Sequence, residues 1–423
     1  MRFPLVLRLF GVAALAAVAA CSDGGAAATT TTAGQSAPTT TERIDDGTLV
    51  VGAVLPSSGV GAELGNSIRA ALDAALVEIN AAGGIDGTPV RLITLEEGED
   101  AATAGLAVQQ LVQRNVDAII GPTSSLNMLG TLSATVDEEV LTCSPTATAL
   151  SLDDFPDDGL LLRTIPSDSL QARAIANQVE ASGRSSALVV YVDDAYGRPF
   201  AQATQQALVA NGGQVLASVG FLPTEGSLAD AVDAVIAADP GVVAIIADST
   251  SGPAIINALD AADPDGRLTY VVNDALRRPA ASAQPFDKSL NSRIVGVSPL
   301  PFSSSASFLA ALAAADPAAT GLYAHNAYDC FALIALAAQT SGTTQPRTLS
   351  AAVAALSTSG TSCDSFTMCS AALADGSNIN YDGPSGTLAI DLGGNVSRGQ
   401  FERFEFDENG RDVAVGTVVV GSG

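Results

Sequence analysis

The sequence predicts an α/β protein of two similar lobes, each a mostly parallel sheet with helices on its faces. Three observations carry this. Apolar, β-branched runs alternate with amphipathic helical stretches between residues 48 and 272, the pattern of parallel strands joined by helical crossovers. The series occurs twice, and each time an early helix stops at a Gly-Gly pair, Gly83-Gly84 or Gly212-Gly213, before the next strand. After Val297 the pattern changes: helices dominate 306–356, and short strands spaced by Gly and Asp close the chain. Such a tail fits a segment that completes earlier lobes better than a third domain.

In the first series a strand is expected at 49–55, then a Ser-Gly loop at 56–65 and a helix at 66–82. Ile68, Leu72, Ala75, Leu76 and Ile79 keep helical spacing there. Strand 89–95, helix 101–113, strand 117–120, helix 126–138 and strand 140–143 follow. In the second series the expected order is strand 187–192, helix 200–211, strand 214–219, helix 228–238, strand 242–247, helix 253–262 and strand 268–272.

The start of the chain reads as an export signal. Arg2 and Arg8 flank the beginning of an apolar run, residues 9–20, shorter than the roughly 20 residues a membrane-spanning helix needs. The run ends in Val18-Ala19-Ala20-Cys21, which resembles the bacterial lipobox, where the Cys thiol receives a diacylglycerol and becomes the mature N-terminus. The alternative is an ordinary signal peptide with an incidental Cys. Residues 22–41 are almost wholly Gly, Ala, Ser and Thr, too polar and small to offset the entropy of ordering. The expected organisation is a signal at 1–20, a tether at 21–47 and a body held at the outer face of the cell membrane by a lipid on Cys21.

Charge excludes one class of partner. With 19 basic against 45 acidic residues the formal net charge is −26, a field that repels nucleic acid. Four cysteines remain in the body, Cys143, Cys330, Cys363 and Cys369. An even number in an oxidising compartment permits two disulfides: Cys363 with Cys369 as a small loop, and Cys143 with Cys330. Buried free thiols are the alternative.

The body is similar to the leucine/isoleucine/valine-binding family of periplasmic solute receptors. The matching stretches keep family order: Val51-Gly52-Ala53-Val54, Glu78-Ile79-Asn80-Ala81-Ala82-Gly83-Gly84-Ile85, Ile120-Gly121-Pro122-Thr123-Ser124-Ser125, Ser144-Pro145-Thr146-Ala147-Thr148 and Arg163-Thr164-Ile165-Pro166-Ser167-Asp168. Asp194-Ala195-Tyr196-Gly197, Ala327-Tyr328-Asp329 and Tyr381-Asp382-Gly383-Pro384-Ser385-Gly386 complete the set. The resemblance covers nearly all of residues 48–411. It implies the type I periplasmic binding protein fold: two Rossmann-like lobes joined by three crossover strands near 163–168, 297–301 and 398–401. Lobe one would be 48–167 plus 299–398, lobe two 168–298 plus 399–423, with ligand in the cleft between them.

The resemblance also implies a site. An amino-acid zwitterion needs hydroxyls and free N–H groups for its carboxylate and an acid for its ammonium. Ser125, Thr146 and Thr148 match the positions that hold the α-carboxylate and amino group from lobe one; Ser and Thr at strand-to-helix turns also cap helices. Asp274 matches the family's ammonium-pairing acid, here one methylene shorter than the usual Glu, so the ligand sits deeper or a water intervenes. Asp248 stands where many relatives carry an aromatic lid; it is a second cleft acid or a solvent-facing loop acid. Tyr196 and loop 57–64 line the cleft, unless Tyr196 only packs. The implied partners are a small amino acid or related amine or amide, and the permease and ATPase of an ABC importer, with the receptor a monomer.

Other classes find less support. His325 is the chain's one histidine, so a metal cluster or a Ser-His-Asp triad would rest on it alone. No nucleophile elbow, phosphate-binding lysine loop or Cys-x-x-Cys pair occurs. Gly59-Val60-Gly61 lacks the properly spaced third glycine of a dinucleotide loop. No cofactor, metal or catalytic residue is therefore expected, and an enzyme is the remote alternative. The nearer one is the same fold reporting its ligand to a regulator.

Overall fold

The computed structural model describes residues 45–278, 286–299 and 305–421. The expected export signal, Cys21 and nearly all of the tether lie outside the described residues.

The first sheet follows the sequence closely. β1 (Val50–Leu55), α1 (Ala62–Ala81), β2 (Arg91–Glu96), α2 (Ala101–Val112), β3 (Ala118–Ile120), α3 (Ser125–Asp137), β4 (Leu141–Ser144) and β5 (Leu161–Arg163) alternate along the chain. The five strands form one parallel sheet in the order β2-β1-β3-β4-β5. Val51 is paired with both Leu92 and Ala118, so β1 is central and buried throughout. That is why it reads as an unbroken apolar run rather than an alternating one.

The second series begins with α4 (Asp168–Ala181), then β6 (Ser186–Val192), α5 (Gly197–Ala210), β7 (Gln214–Phe221), α6 (Glu225–Ala238), β8 (Val242–Ile246), α7 (Ser251–Ala262), β9 (Thr269–Val272) and β10 (Ile294–Ser298). Its central strands are buried on both faces. Leu188, Val190, Val243 and Ile245 pack into one core, while Ala187, Val189, Val242, Ala244 and Ile246 pack into the other.

The tail serves both sheets. α8 (Ala306–Ala315), α9 (Ala324–Ser341), α10 (Pro346–Leu356), β11 (Thr361–Cys363), α11 (Phe366–Ala374) and β12 (Ile379–Tyr381) come first. Every residue of α9 from Ala324 to Ala338 is buried, and its apolar side chains share one core with β1 and α1. A helix apolar all round is a core helix. β13 (Arg398–Phe406) and β14 (Asp412–Gly421) then join the second sheet antiparallel, giving the order β14-β13-β10-β9-β8-β6-β7. These closing strands are not short as expected: they are nine and ten residues long. Their charges hid them. Arg403 and Glu405 pair with each other along β13, and Glu402 pairs with Arg277, while Phe401 and Phe404 are buried.

Three helices depart from expectation. α1 starts at Ala62, inside the expected loop, because Gly65 lets its first turn press against Pro56. α4 and α11 were not expected at all. Among the described residues no helix is long and apolar enough to cross a membrane. Two disulfides are present, Cys143–Cys330 and Cys363–Cys369.

Candidate functional site

The first sheet presents its loops beyond the carboxyl ends of β3 and β4, where ligands of open α/β sheets bind. Gly121 turns the chain out of β3 at φ +90°, and a Cβ there would come within 2.4 Å of the Val54 carbonyl oxygen. Only glycine satisfies both demands. α3 follows, with Ser124 as its N-cap and Ser125 as its first residue. Its anion seat is filled from within the chain. Buried Glu97 accepts hydrogen bonds from Thr123 N (2.8 Å), Thr123 Oγ1 (2.6 Å), Ser124 N (3.1 Å) and Asn127 Nδ2 (2.8 Å). A ligand carboxylate would have to use other donors.

Two hydroxyls follow in the same loops. Ser125 Oγ accepts from Ala149 N at 3.3 Å, and Thr146 Oγ1 donates to the Thr123 carbonyl at 2.7 Å. The two hydroxyls stitch the β3 and β4 loops together. Neither Thr146 nor Thr148 begins an α-helix; the next element is a single 3-10 turn at Leu150–Leu152. Thr148 reaches the second sheet's first helix: its carbonyl accepts from Asp168 N at 2.9 Å.

Asp168 is the residue the sequence reading passed over. It is the first residue of α4 and fully buried. Its approach is fixed by Arg163, itself fully buried, which pairs with Asp153 and donates from Nε to Asn395 Oδ1 at 2.8 Å. Ser167, the N-cap of α4, donates to Asp153 at 2.7 Å. Neither oxygen of Asp168 accepts a hydrogen bond of good geometry. Burial, and then the charge of Asp274, push its carboxyl up to about 8; the nearby Thr148 hydroxyl and Arg163 oppose this.

Asp274 lies just beyond β9. Oδ1 accepts from Gln171 Nε2 and Oδ2 from the Tyr323 hydroxyl, both at 2.8 Å. Gln171 shares a face of α4 with Asp168 and also donates to Val297 O at 2.9 Å. Tyr323 precedes α9 in the left-handed conformation, φ +53°, and its hydrogen bond to Asp274 joins the turn ahead of α9 to the one beyond β9. Tyr196 completes the cluster. Its hydroxyl accepts from Asn273 Nδ2 at 3.3 Å and its ring meets Phe200 edge-on at 5.9 Å. Burial, reinforced by Asp168 and Asp274, pushes both phenols well above their usual range. They remain protonated donors.

Ser125 and Thr146 bond between the β3 and β4 loops, whereas Thr148, Tyr196 and Asp274 border Asp168, the first through its carbonyl and the other two in Coulombic range. The Asp248 side chain bonds its own turn. Oδ1 accepts from Thr250 N (2.7 Å) and Ser251 N (2.8 Å), and Oδ2 from Ser251 Oγ (2.6 Å), closing the turn into α7. Burial raises its carboxyl, but these bonds outweigh that and leave it below the usual range. His325 is buried against Phe308, ring centroids 4.6 Å apart, and burial lowers it to about 4; it is neutral at ordinary pH. Sequence reasoning missed Asp168, Gln171, Asn273 and Tyr323. Asp168 ended a stretch already singled out; the other three carried no local signal.

The fold and this site define a two-lobed solute receptor. The model of the family described as periplasmic binding protein matches residues 48–379, and the chain belongs to that family. It is 29% identical over 361 residues to BasB of Halobacterium salinarum, a chemotactic signal transduction system substrate-binding protein, covering 81% of this chain and 83% of BasB. It is 28% identical over 167 residues to the Leu/Ile/Val-binding protein BraC3 of Rhizobium johnstonii, 39% of this chain and 45% of the relative. Among solved structures, LivJ of Streptococcus pneumoniae in complex with isoleucine superposes with a TM-score of 0.67 at 20% identity, covering 88% of this chain and 99% of LivJ. A solute-binding protein of an R. palustris ABC transporter in complex with 4-hydroxybenzoate gives 0.70 at 16% identity, over 89% and 97%.

Proposed function

We propose that this chain is an extracytoplasmic lipoprotein that captures an amino acid or a related small amine and delivers it to an ABC importer. One observation carries the reading: two carboxyl groups, Asp168 and Asp274, are held in Coulombic range of each other with two protonated tyrosines around them. The cations nearby are already paired, Arg163 with Asp153 and Arg277 with Glu402 and Asp412. Asp168 holds a proton there in place of a cation, and an ammonium would displace it. On this reading Asp274 and Asp168 take the ammonium, Tyr196 and Tyr323 flank it, and Ser125, Thr146 and Thr148 face the carboxylate. Asp248 is assigned to its own turn. The lobes divide at 167/168, 298/299 and 398/399, Cys21 carries the lipid, and the protein binds without turning over its ligand.

The test is a thermal-shift panel of amino acids, amides, amines and aromatic carboxylates on the purified protein. A true ligand at a hundredfold over Kd adds about 2.7 kcal/mol of stability. An α-amino compound should stabilise the protein, and Asp274→Ala should abolish the shift. A panel in which only amine-free carboxylates such as 4-hydroxybenzoate stabilise it would overturn the reading.

The likeness to BasB favours a second reading, in which the loaded receptor signals to a chemotaxis partner. Co-purification of the loaded protein with a permease supports delivery; co-purification with a transducer supports signalling.

A further inference from the structure

The Cys143–Cys330 bond joins the third residue of β4 to the second turn of α9. Apart from Ser125, what the first lobe brings to the binding cluster hangs on those two elements. Thr146 and Thr148 lie in the loop that leaves β4, and Tyr323 is the N-cap of α9. A third segment is tied to the same point. Thr164 Oγ1 donates to the Asn326 carbonyl at 2.8 Å and lies 3.4 Å from Cys330 Sγ, while Asn326 Nδ2 donates back to the Thr164 carbonyl at 2.7 Å. Thr164 stands between β5 and Asp168, so its segment leads directly to the buried acid. Thr164, Asn326, Cys143 and Cys330 are all buried.

Three separate stretches of chain, carrying Thr148, Asp168 and Tyr323, therefore converge on one covalent bond and two hydrogen bonds. Packed helices shift by an ångström or two relative to their neighbours at little cost, whereas a binding constellation tolerates about 0.5 Å. A bond from α9 to β4 removes the sliding freedom that would separate Tyr323 from Thr148. Cys363–Cys369 is a different object: it closes a local loop between β11 and α11.

We propose that Cys143–Cys330 is a positioning clamp for the ligand cluster, holding the Thr146–Thr148 loop, the segment ahead of Asp168 and the Tyr323 turn in mutual register. Its effect on ligand affinity rests on the amino-acid reading above; its effect on register does not.

The experiment compares the full-length protein with Cys143→Ala/Cys330→Ala and with Cys363→Ala/Cys369→Ala by native-state hydrogen exchange. Loss of the clamp should speed local exchange at residues 145–149, 164–171 and 321–327 by about tenfold or more without denaturant, while the slowest amides of β6 and β8, which open only globally, report the loss of overall stability separately. Loss of the other disulfide should leave those three segments as they were. No change in the local exchange of the three segments, or an equal acceleration there on loss of Cys363–Cys369, overturns the clamp. Thr164→Val keeps both cysteines and tests the same idea if the first variant does not fold. It should speed exchange at 145–149 and 321–327 by a smaller factor, and wild-type rates there count against the proposal. Calorimetric titration with L-leucine supplies a second arm. Affinity should fall about tenfold or more in Cys143→Ala/Cys330→Ala only, and equal affinity overturns the clamp. A wild-type protein that ignores L-leucine counts against leucine as the ligand, while the exchange pattern still decides the clamp.

Discussion

Replacing Asp168 with Asn should make the protein more stable and a worse receptor. Asp168 is fully buried, and its carboxyl is pushed up to about 8 from an ordinary 3.8, by burial first and Asp274 second. The folded chain thus keeps a proton that the unfolded chain has released at neutral pH. The linkage has a definite sign. A folded-state pKa above the unfolded value gives stability that is complete below about pH 4 and is lost as pH rises towards 8. At pH 7 the gap between 7 and 3.8 corresponds to about 4 kcal/mol, at 1.36 kcal/mol per unit. Asn is nearly isosteric and carries no charge to bury, so the variant avoids most of that cost. The assay is urea unfolding of both proteins at pH 5 and pH 8, followed by far-ultraviolet circular dichroism without added amines. Asp329 is also raised, to about 7, by burial, but it is common to both proteins and cancels in the difference. The stability advantage of Asp168→Asn should grow from pH 5 to pH 8 by about 4 kcal/mol. An advantage independent of pH, or a variant less stable than wild type at pH 8, would refute the reasoning.

Ligand binding should show the opposite pH dependence. If an ammonium pairs with ionised Asp168, apparent affinity should weaken roughly fiftyfold from pH 8 to pH 6; isothermal titration at both values checks this, and Asp168→Asn should flatten the profile. Removing Cys143–Cys330, with a sequence separation of 187, should lower unfolding free energy by about 5 kcal/mol from loop closure, against about 2 for Cys363–Cys369, with a separation of 6. Denaturant titration of the two double-alanine variants measures both. Gly121→Ala should cost on the order of 3 kcal/mol, because it combines φ +90° with a clash on the Val54 carbonyl. A thermal unfolding midpoint unchanged from wild type would contradict that.

What was legible in the sequence follows from how each residue's environment is encoded. β1, β6 and β8 announce themselves because strands buried on both faces are apolar at every position. α4 does not. Its buried face carries Asp168, Gln171 and Gln178 beside Leu170, Ile175 and Val179, so its buried polar positions read as solvent-facing. β5 is three residues long and ends in a buried arginine, which no pattern of apolar residues reveals. The site divides along the same line. Thr146, Thr148 and Asp274 stand directly beyond strands, where position alone draws attention. Tyr323 reaches Asp274 only because α9 folds back from a distant segment. Glu97 fills the α3 anion seat from the end of β2, and neither pairing has a local signature.

Asp274 is not an idle acid: an amide holds one of its oxygens and a phenol the other. On the proposed reading a guest at this acid must displace those residents, so its affinity there measures an exchange rather than a gain. A neutral hydroxyl offers about what Tyr323 already gives and wins little. A charged nitrogen makes bonds roughly twice as strong and prevails. On the same reading the chain would turn away uncharged mimics by supplying in advance the contact they would make.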